Sequence, residues 1–457
     1  MFGVKIITVF GLSIMILLCP SCPKGHHFLI SSNRAEAIGL GVRAMQGNPE
    51  QTNTVIVGAG QAGLAMSAHL TTHKISHIIL EKHRLVERWR TARWDSLVAN
   101  GPAWHDRFPV QEFAGISGDD FATREDIVGY FEHFADAVKA PVRCGVEVSA
   151  VTRHSDGGFL VGTNSGHIMA ENVVAATGPF QTPVMPPLVP QDDAIQQMHS
   201  SDYRNPQQLR DGAVLVIGAG SSGAQIADEL LRAGRRVYLA IGPHDRPPRR
   251  YRGKDFVWWL GVLGKWQMKT PPAGKAHVTI AVSGAYGGRT VDFRQFAERG
   301  MTLLGMATAY EDGVLQFADD LGRNIRDGDA NYLALLDEAD AYVAREGLNV
   351  PEEPEAKIIG PDPACVTQPL RQLDLAAADI ASIIWATGYC QDFGWLQVDA
   401  LDADGRPRHQ NGIAAEPGIY FLGLPWLTMR GSSFIWGVWE DAAMLAAHIV
   451  KRNGVPR

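Results

Sequence analysis

At 457 residues the chain is longer than one hydrophobic core usually reaches, so two domains are expected. Its 46% hydrophobic and 20% charged residues describe an ordinary globular protein, and a net charge of -7 gives no basis for a nucleic-acid or anionic-membrane partner. The five cysteines, Cys19, Cys22, Cys144, Cys365 and Cys390, are scattered and odd in number, which excludes a disulfide framework and a zinc site. No metal is expected, and a reducing compartment fits best.

The chain begins with "MFGVKIITVFGLSIMILLCPSC", a single Lys5 followed by an apolar run over 6–19. The run is too short to span a bilayer comfortably and lacks a small-x-small cleavage site. The simpler reading is a start placed too far upstream, with Met45 as the true beginning and a cytoplasmic protein; the alternative is a real leader and membrane association. Cys19 and Cys22 form a C-x-x-C, but it opens no helix after a strand. Residues 1–50 are therefore set apart as leader and linker.

The first strong signal is "TVIVGAGQAGLAMSAHL" over 54–70, an apolar strand, a glycine turn and a helix. Gly58 permits the tight turn, Gly60 lets the backbone approach a pyrophosphate, and Gly63 lets the helix pack on the strand, with Gln61 and Ala62 between them. The helix start points free N–H groups at the phosphates. Further on, "SHIILEK" ends a second strand on Glu81, a carboxylate placed to accept ribose hydroxyls, as FAD or NAD requires.

The same pattern returns in "VLVIGAGSSGAQIADEL" over 214–230, with Gly218, Gly220, Ser221, Ser222 and Gly223 in the corresponding positions. The residue equivalent to Glu81 is Ile241, and the basic loop "HDRPPRRYRGKD" follows with Arg246, Arg249, Arg250 and Arg252. Arginine forks match phosphate oxygens, so this loop predicts selectivity for NADPH through its 2′-phosphate. FAD in the first cradle and NADPH in the second make hydride transfer to flavin the first half-reaction. The electrons then need an acceptor, and no cysteine pair stands near the flavin to serve as one.

Four segments resemble the flavin-containing monooxygenases. "MHSSDYRNP" over 198–206 matches the second half of the F-x-G-x-x-x-H-S-x-x-Y fingerprint through His199, Ser200 and Tyr203, while Asp193 and Ile195 replace its Phe and Gly. "SIIWATGY" over 382–389 resembles the family's ATGY segment. "NVVAATGPFQTP" over 172–183 resembles its interdomain hinge and places Thr177 and Gly178 at the cofactor. "RWDSLVANGPAWHDRFP" over 93–109 resembles the segment that crosses the flavin ring. There the resemblance implies that the Asn100 amide contacts flavin and bound nicotinamide and helps hold a C4a-hydroperoxyflavin; turn chemistry in "ANGP" is the blander role for it. Trp89 and Arg90 match a family tryptophan near the flavin, although Glu87 and Arg88 replace the usual glycine pair.

The resemblance implies an α/β fold of two Rossmann-like dinucleotide-binding domains, the NADPH domain inserted within the FAD domain. The expected boundaries are 51–209 for the first part of the FAD domain, 210–365 for the NADPH domain and 366–457 for the second part. The implied activity is a monooxygenase taking O2 and a small organic substrate, by N- or S-oxidation or oxidative decarboxylation. Baeyer–Villiger chemistry and a non-oxygenating reductase or redox sensor remain open. Tyr203 and Arg204, where Baeyer–Villiger enzymes carry tryptophan and proline, favour the first. His199, in a linking segment, reads as structural.

Overall fold

The computed structural model describes residues 7–9, 12–14, 49–191, 193–269 and 280–454. In the leader, Ile7–Val9 and Leu12–Ile14 pair antiparallel. Met45 and the Cys19 and Cys22 pair lie outside the described residues. Among those that are described, no helix is long and apolar enough to cross a membrane.

Two sheets organise the rest, the first parallel at its centre with antiparallel strands Phe159–Thr163 and Ile413–Ala414 toward its margins. In the first, Glu50–Val57 lies between His77–Glu81 and Gly166–Ala175, with Val142–Cys144 beyond the former and Ile419–Phe421 beyond the latter. Central strands buried on both faces need near-continuous apolar runs, and Val55 to Val57, Ile78 to Leu80 and Val173 to Ala175 supply them. Val57 is level with both Leu80 and Ala175. That register brings Gly58, Glu81 and the Ala176 to Gly178 turn to one carboxyl edge, where open α/β sheets bind ligands. The helix Gln61–Thr72 covers this sheet and packs against the C-terminal helix Ile435–Arg452.

The second sheet repeats the arrangement with all strands parallel, in the order Gln196–His199, Ile380–Trp385, Ala213–Ile217, Val237–Ala240, Thr302–Leu304. Ile217 is level with Trp385 and Ala240, so Gly218, Ile241 and the Ala386 to Gly388 turn share an edge. Two of these strands fall outside the boundaries 210 and 365 drawn from the sequence. Gln196–His199 and Ile380–Trp385 pair with each other and belong to the second sheet, which therefore runs from about 196 to 385. The insertion is as expected; its edges are wider, because the pairing that defines them joins segments far apart in the chain.

The helix pattern in "DANYLALLDEADAYVAREG" extends over Leu321–Glu346 and stops at Gly347, whose φ of +63° gives a left-handed C-cap. Its inner face buries Tyr332, Leu336 and Ala339 against Tyr251 and Trp259. Trp259 is thus core.

Candidate functional site

The two glycine turns have the same backbone. Gly58 and Gly218 have φ of +107° and +105°, a region open to glycine, and a Cβ there would stand 2.7 Å from the Ala176 carbonyl oxygen or 2.4 Å from that of Ala386. Gly63 and Gly223 carry the helix packing: an added Cβ would lie 2.0 Å from the Gly58 oxygen or 1.8 Å from the Gly218 oxygen. Both helices start after a glycine, with no side-chain cap and no acid in the first turn. Their first N–H groups are left for an external acceptor, the arrangement that suits a pyrophosphate.

Both turns open on one cleft of about 2480 Å³, against about 300–1,000 Å³ for a usual small-ligand pocket. It has room for two dinucleotides. From the first cradle Gly58, Gly60, Gln61, Ala62 and Glu81 line it; Gly63 is spent on packing. Glu81 accepts from the Ala59 and His83 N–H groups at 3.0 and 2.9 Å, which fixes its carboxylate at the strand end. Gln61 donates to the Ser433 carbonyl at 2.8 Å, tying this cradle to the start of the C-terminal helix, where Phe434 and Ile435 also line the cleft. Thr177 and Gly178 line it as well, held by Gln181 at 2.9 and 2.8 Å. From the second cradle come Gly218, Gly220, Ser221, Ser222 and Gly223.

Trp89 forms part of the wall, with the Arg93 guanidinium over its ring at 5.4 Å. Arg90 does not: it donates to the Leu85 carbonyl at 3.1 Å and pairs with Glu132, away from the cleft. The larger correction concerns the basic loop. Arg249 is 2% exposed and pairs bidentately with Asp255; Arg252 pairs with Asp340; Arg246 pairs with Asp329. Arg250 is exposed and, among the described residues, hydrogen-bonds the Gly287 carbonyl at 3.4 Å. None of these four lines the cleft. Arg246, Arg249 and Arg252 are each taken by an acidic partner, so most of the loop is a set of internal ion pairs. Beyond Ile241, which is buried, the wall is Gly242, Pro243, Asp245, Met306, Ala307 and Thr308.

Asn100 lines the cleft between the two cradles. Its Oδ1 accepts from Gln225 Nε2 at 2.8 Å, and its backbone oxygen accepts from Arg249 at 2.6 Å. Asp106 lies beside it, accepting from the Gly101 N–H at 2.8 Å and facing His105 Nδ1 at 2.7 Å. Behind them, His105, Trp266, Phe434 and Trp436 form an aromatic cluster with ring centroids 5.0 to 5.6 Å apart. Arg430 also borders the cleft; burial pushes its guanidinium down, and among the described residues it has no carboxylate within ion-pair distance. His199 is fully buried and faces the Gly388 carbonyl at 3.0 Å and Ser201 Oγ at 2.9 Å. With Nε2 as donor and Nδ1 as acceptor, it clamps the two linking segments.

Sequence reasoning missed Gln225, Asp106 and Arg430. The first two lie inside segments already singled out, where their polarity was the available signal. Arg430 carries none, because nothing in "TMRGSS" marks which face of that turn is open. Among the described residues Cys144, Cys365 and Cys390 are free, and no cluster of His, Cys, Asp or Glu suited to a metal occurs.

Comparison with known proteins follows this geometry. Residues 55–260 match the pyridine nucleotide-disulphide oxidoreductase family. The CzcO-like oxidoreductase of Geobacillus kaustophilus is 32% identical over 402 residues, covering 87% of this chain and 98% of the relative. The indole-3-pyruvate monooxygenase YUCCA1 of Oryza sativa is 30% identical over 191 residues, 41% of this chain and 47% of that protein. Among solved structures, the flavin-containing monooxygenase of Stenotrophomonas maltophilia superposes with a TM-score of 0.62 at 18% identity, covering 88% of this chain and 99% of that one.

Proposed function

The chain belongs to the flavin-containing monooxygenase-like oxidoreductases, with FAD and NADP as cofactors, and on that premise we propose that it uses NADPH and O2 to oxygenate a small organic substrate. The observation that carries this reading is the single cleft: two phosphate cradles on one cavity, with the Asn100 side chain between them. FAD held by the first cradle would supply the redox chemistry of a monooxygenase, with NADPH as the reductant and O2 as the source of the oxygen atom.

The chain's own residues do the rest. The turns at 58–63 and 218–223 bind the two pyrophosphates through backbone N–H groups, and Glu81 takes the ribose of the first dinucleotide. Thr177, Gly178 and Trp89 line the path between the cradles. Asn100 offers an oriented amide where oxygen chemistry takes place, and the aromatic cluster behind His105 keeps water from that end of the cleft. The substrate is an organic molecule oxidised at nitrogen or sulfur, or decarboxylated; the rice relative is named as a monooxygenase of indole-3-pyruvate, an aromatic oxo acid.

The test is Asn100→Ala in the FAD-loaded enzyme. FAD content and anaerobic reduction by NADPH stay near parental, because both cradles are intact. Loss of one preorganised donor costs about 2.7–4 kcal/mol, so NADPH consumption leads to hydrogen peroxide in place of product. A variant as well coupled as the parent returns Asn100 to the role of a turn residue.

A further inference from the structure

We propose that Gln225, on the first helix of the second domain, is a positioning residue that sets which end of the Asn100 amide faces the cleft. The inference rests on the role given to Asn100 above and adds what makes that role available.

An asparagine amide presents an acceptor at one end and two donors at the other, and only its hydrogen-bond network decides which is which. Here the decision can be followed back to the backbone. Gln225 is 7% exposed, and its Nε2 lies 2.8 Å from the Val282 carbonyl oxygen. A carbonyl only accepts, so the nitrogen end of Gln225 must be the one that faces it. The same nitrogen lies 2.8 Å from Asn100, which must therefore turn Oδ1 inward. Nδ2 is left without a partner among the described residues, on a side chain that lines the cleft.

Neither end of this relay is free to shift. Arg249, locked by Asp255, holds the Asn100 backbone oxygen. On the other side the backbone past Val282 presses against the same segment: a Cβ on Gly284 would lie 2.1 Å from the Ala99 oxygen and 2.6 Å from the Phe121 ring. Asn100 belongs to the first domain by sequence, yet the second domain holds both its backbone and its side chain. The donor facing the cleft suits a ligand oxygen with lone pairs, and it exists only while the two domains are docked.

The test uses the full chain loaded with FAD and three variants: Gln225→Glu, Gln225→Leu and Asn100→Ala. An ionised glutamate at 225 can only accept, so at alkaline pH, where it is ionised, Asn100 rotates to give Nδ2 to it and turns its oxygen to the cleft. NADP⁺ affinity, followed by quenching of protein fluorescence, then weakens at least tenfold, and the peroxide fraction rises to that of Asn100→Ala. FAD content changes by less than twofold. If the buried glutamate prevents folding, Gln225→Leu carries the test through non-additivity: combined with Asn100→Ala it adds nothing, because Gln225 acts through Asn100. Parental NADP⁺ affinity and coupling in the Gln225 variants, or effects that multiply in the double variant, overturn the proposal. A silent Asn100→Ala instead overturns the reading on which it rests.

Discussion

The two cradles are nearly identical in backbone and differ at the strand that follows. Gly58 and Gly218 agree within a few degrees in φ, each would clash with the carbonyl of an Ala-Thr-Gly turn from a neighbouring strand, and each helix is seated by a later glycine. After the first cradle the next strand ends in Glu81; after the second it ends at Ala240 and is followed by buried Ile241. On the proposed assignment, the shared part would recognise what FAD and NADP have in common, a pyrophosphate, and the strand end is where the ligands would become distinguishable. The four arginines nearest the second site in sequence do not line the cleft there.

The largest effects separate the cradles outright. Gly63→Val puts side-chain carbon where the Gly58 oxygen stands, so that the first helix cannot seat. The expected product is colourless protein without FAD. Gly223→Val does the same to the second cradle and leaves a yellow protein that NADPH cannot reduce. Absorbance at flavin wavelengths, with and without NADPH under anaerobic conditions, reads both. Exchanged phenotypes would reverse the assignment of the two sites.

Next come the arginines. Arg249→Met strands Asp255 in the interior, and breaking a buried pair costs about 3–5 kcal/mol, so thermal unfolding moves down whichever nucleotide is offered. Arg250→Ala removes an exposed side chain and changes stability by no more than about 0.5 kcal/mol, with the NADPH to NADH preference intact. A selective loss of NADPH use in Arg250→Ala would restore the basic loop as a phosphate site. Glu81→Gln follows: losing hydrogen bonds made by a charged group weakens FAD binding by about 1.5–3 kcal/mol, measured by flavin retention on dilution.

An effect of pH alone sharpens a further contrast. The second region pairs its buried acids with arginines, as in Arg249–Asp255 and Arg246–Asp329–Arg294. In the first, Asp441 is 1% exposed, with Thr428 bonded to one oxygen and, among the described residues, nothing bonded to the other, and burial raises it to about 6. Since this lies above the unfolded value of about 3.9, Asp441 imposes no ionisation penalty below pH 4. The penalty grows as pH rises through both values and is complete above about 6. The stability of Asp441→Asn relative to the parent therefore increases between pH 4 and pH 7, by up to about 3 kcal/mol. A difference that stays constant across that range would mean Asp441 is already paired.

What the sequence made legible was local. Glycine spacing, apolar runs and Glu81 all lie within about thirty residues of one another, and Gly58, Gly60 and Glu81 line the cleft. The insertion followed from the order of motifs. What stayed hidden depended on distant partners. Gln225 lies 125 positions from Asn100, Asp329 lies 83 from Arg246, and Gln196–His199 pairs with a strand nearly two hundred residues on. Arg249 and Asp255 are the exception at six positions, on either side of the short hairpin of Arg250–Tyr251 and Lys254–Asp255. An acid that close was a readable reason to doubt a phosphate site.

The interrupted first sheet has a consequence for synthesis on the ribosome. The second sheet is complete once Trp385 has emerged, since all five of its strands lie between 196 and 385. The first has its centre by Ala175 but waits for Ile419–Phe421 and the helix Ile435–Arg452, which seals Gln61–Thr72. During that interval the end of its strand Gly166–Ala175, paired by Phe159–Thr163 only as far as Ala170, leaves Val173 to Ala175 without a neighbour on one side, a short edge open to misplaced pairing. The sheet that begins first finishes last, so a nascent chain completes the strands around its second glycine cradle before those around its first.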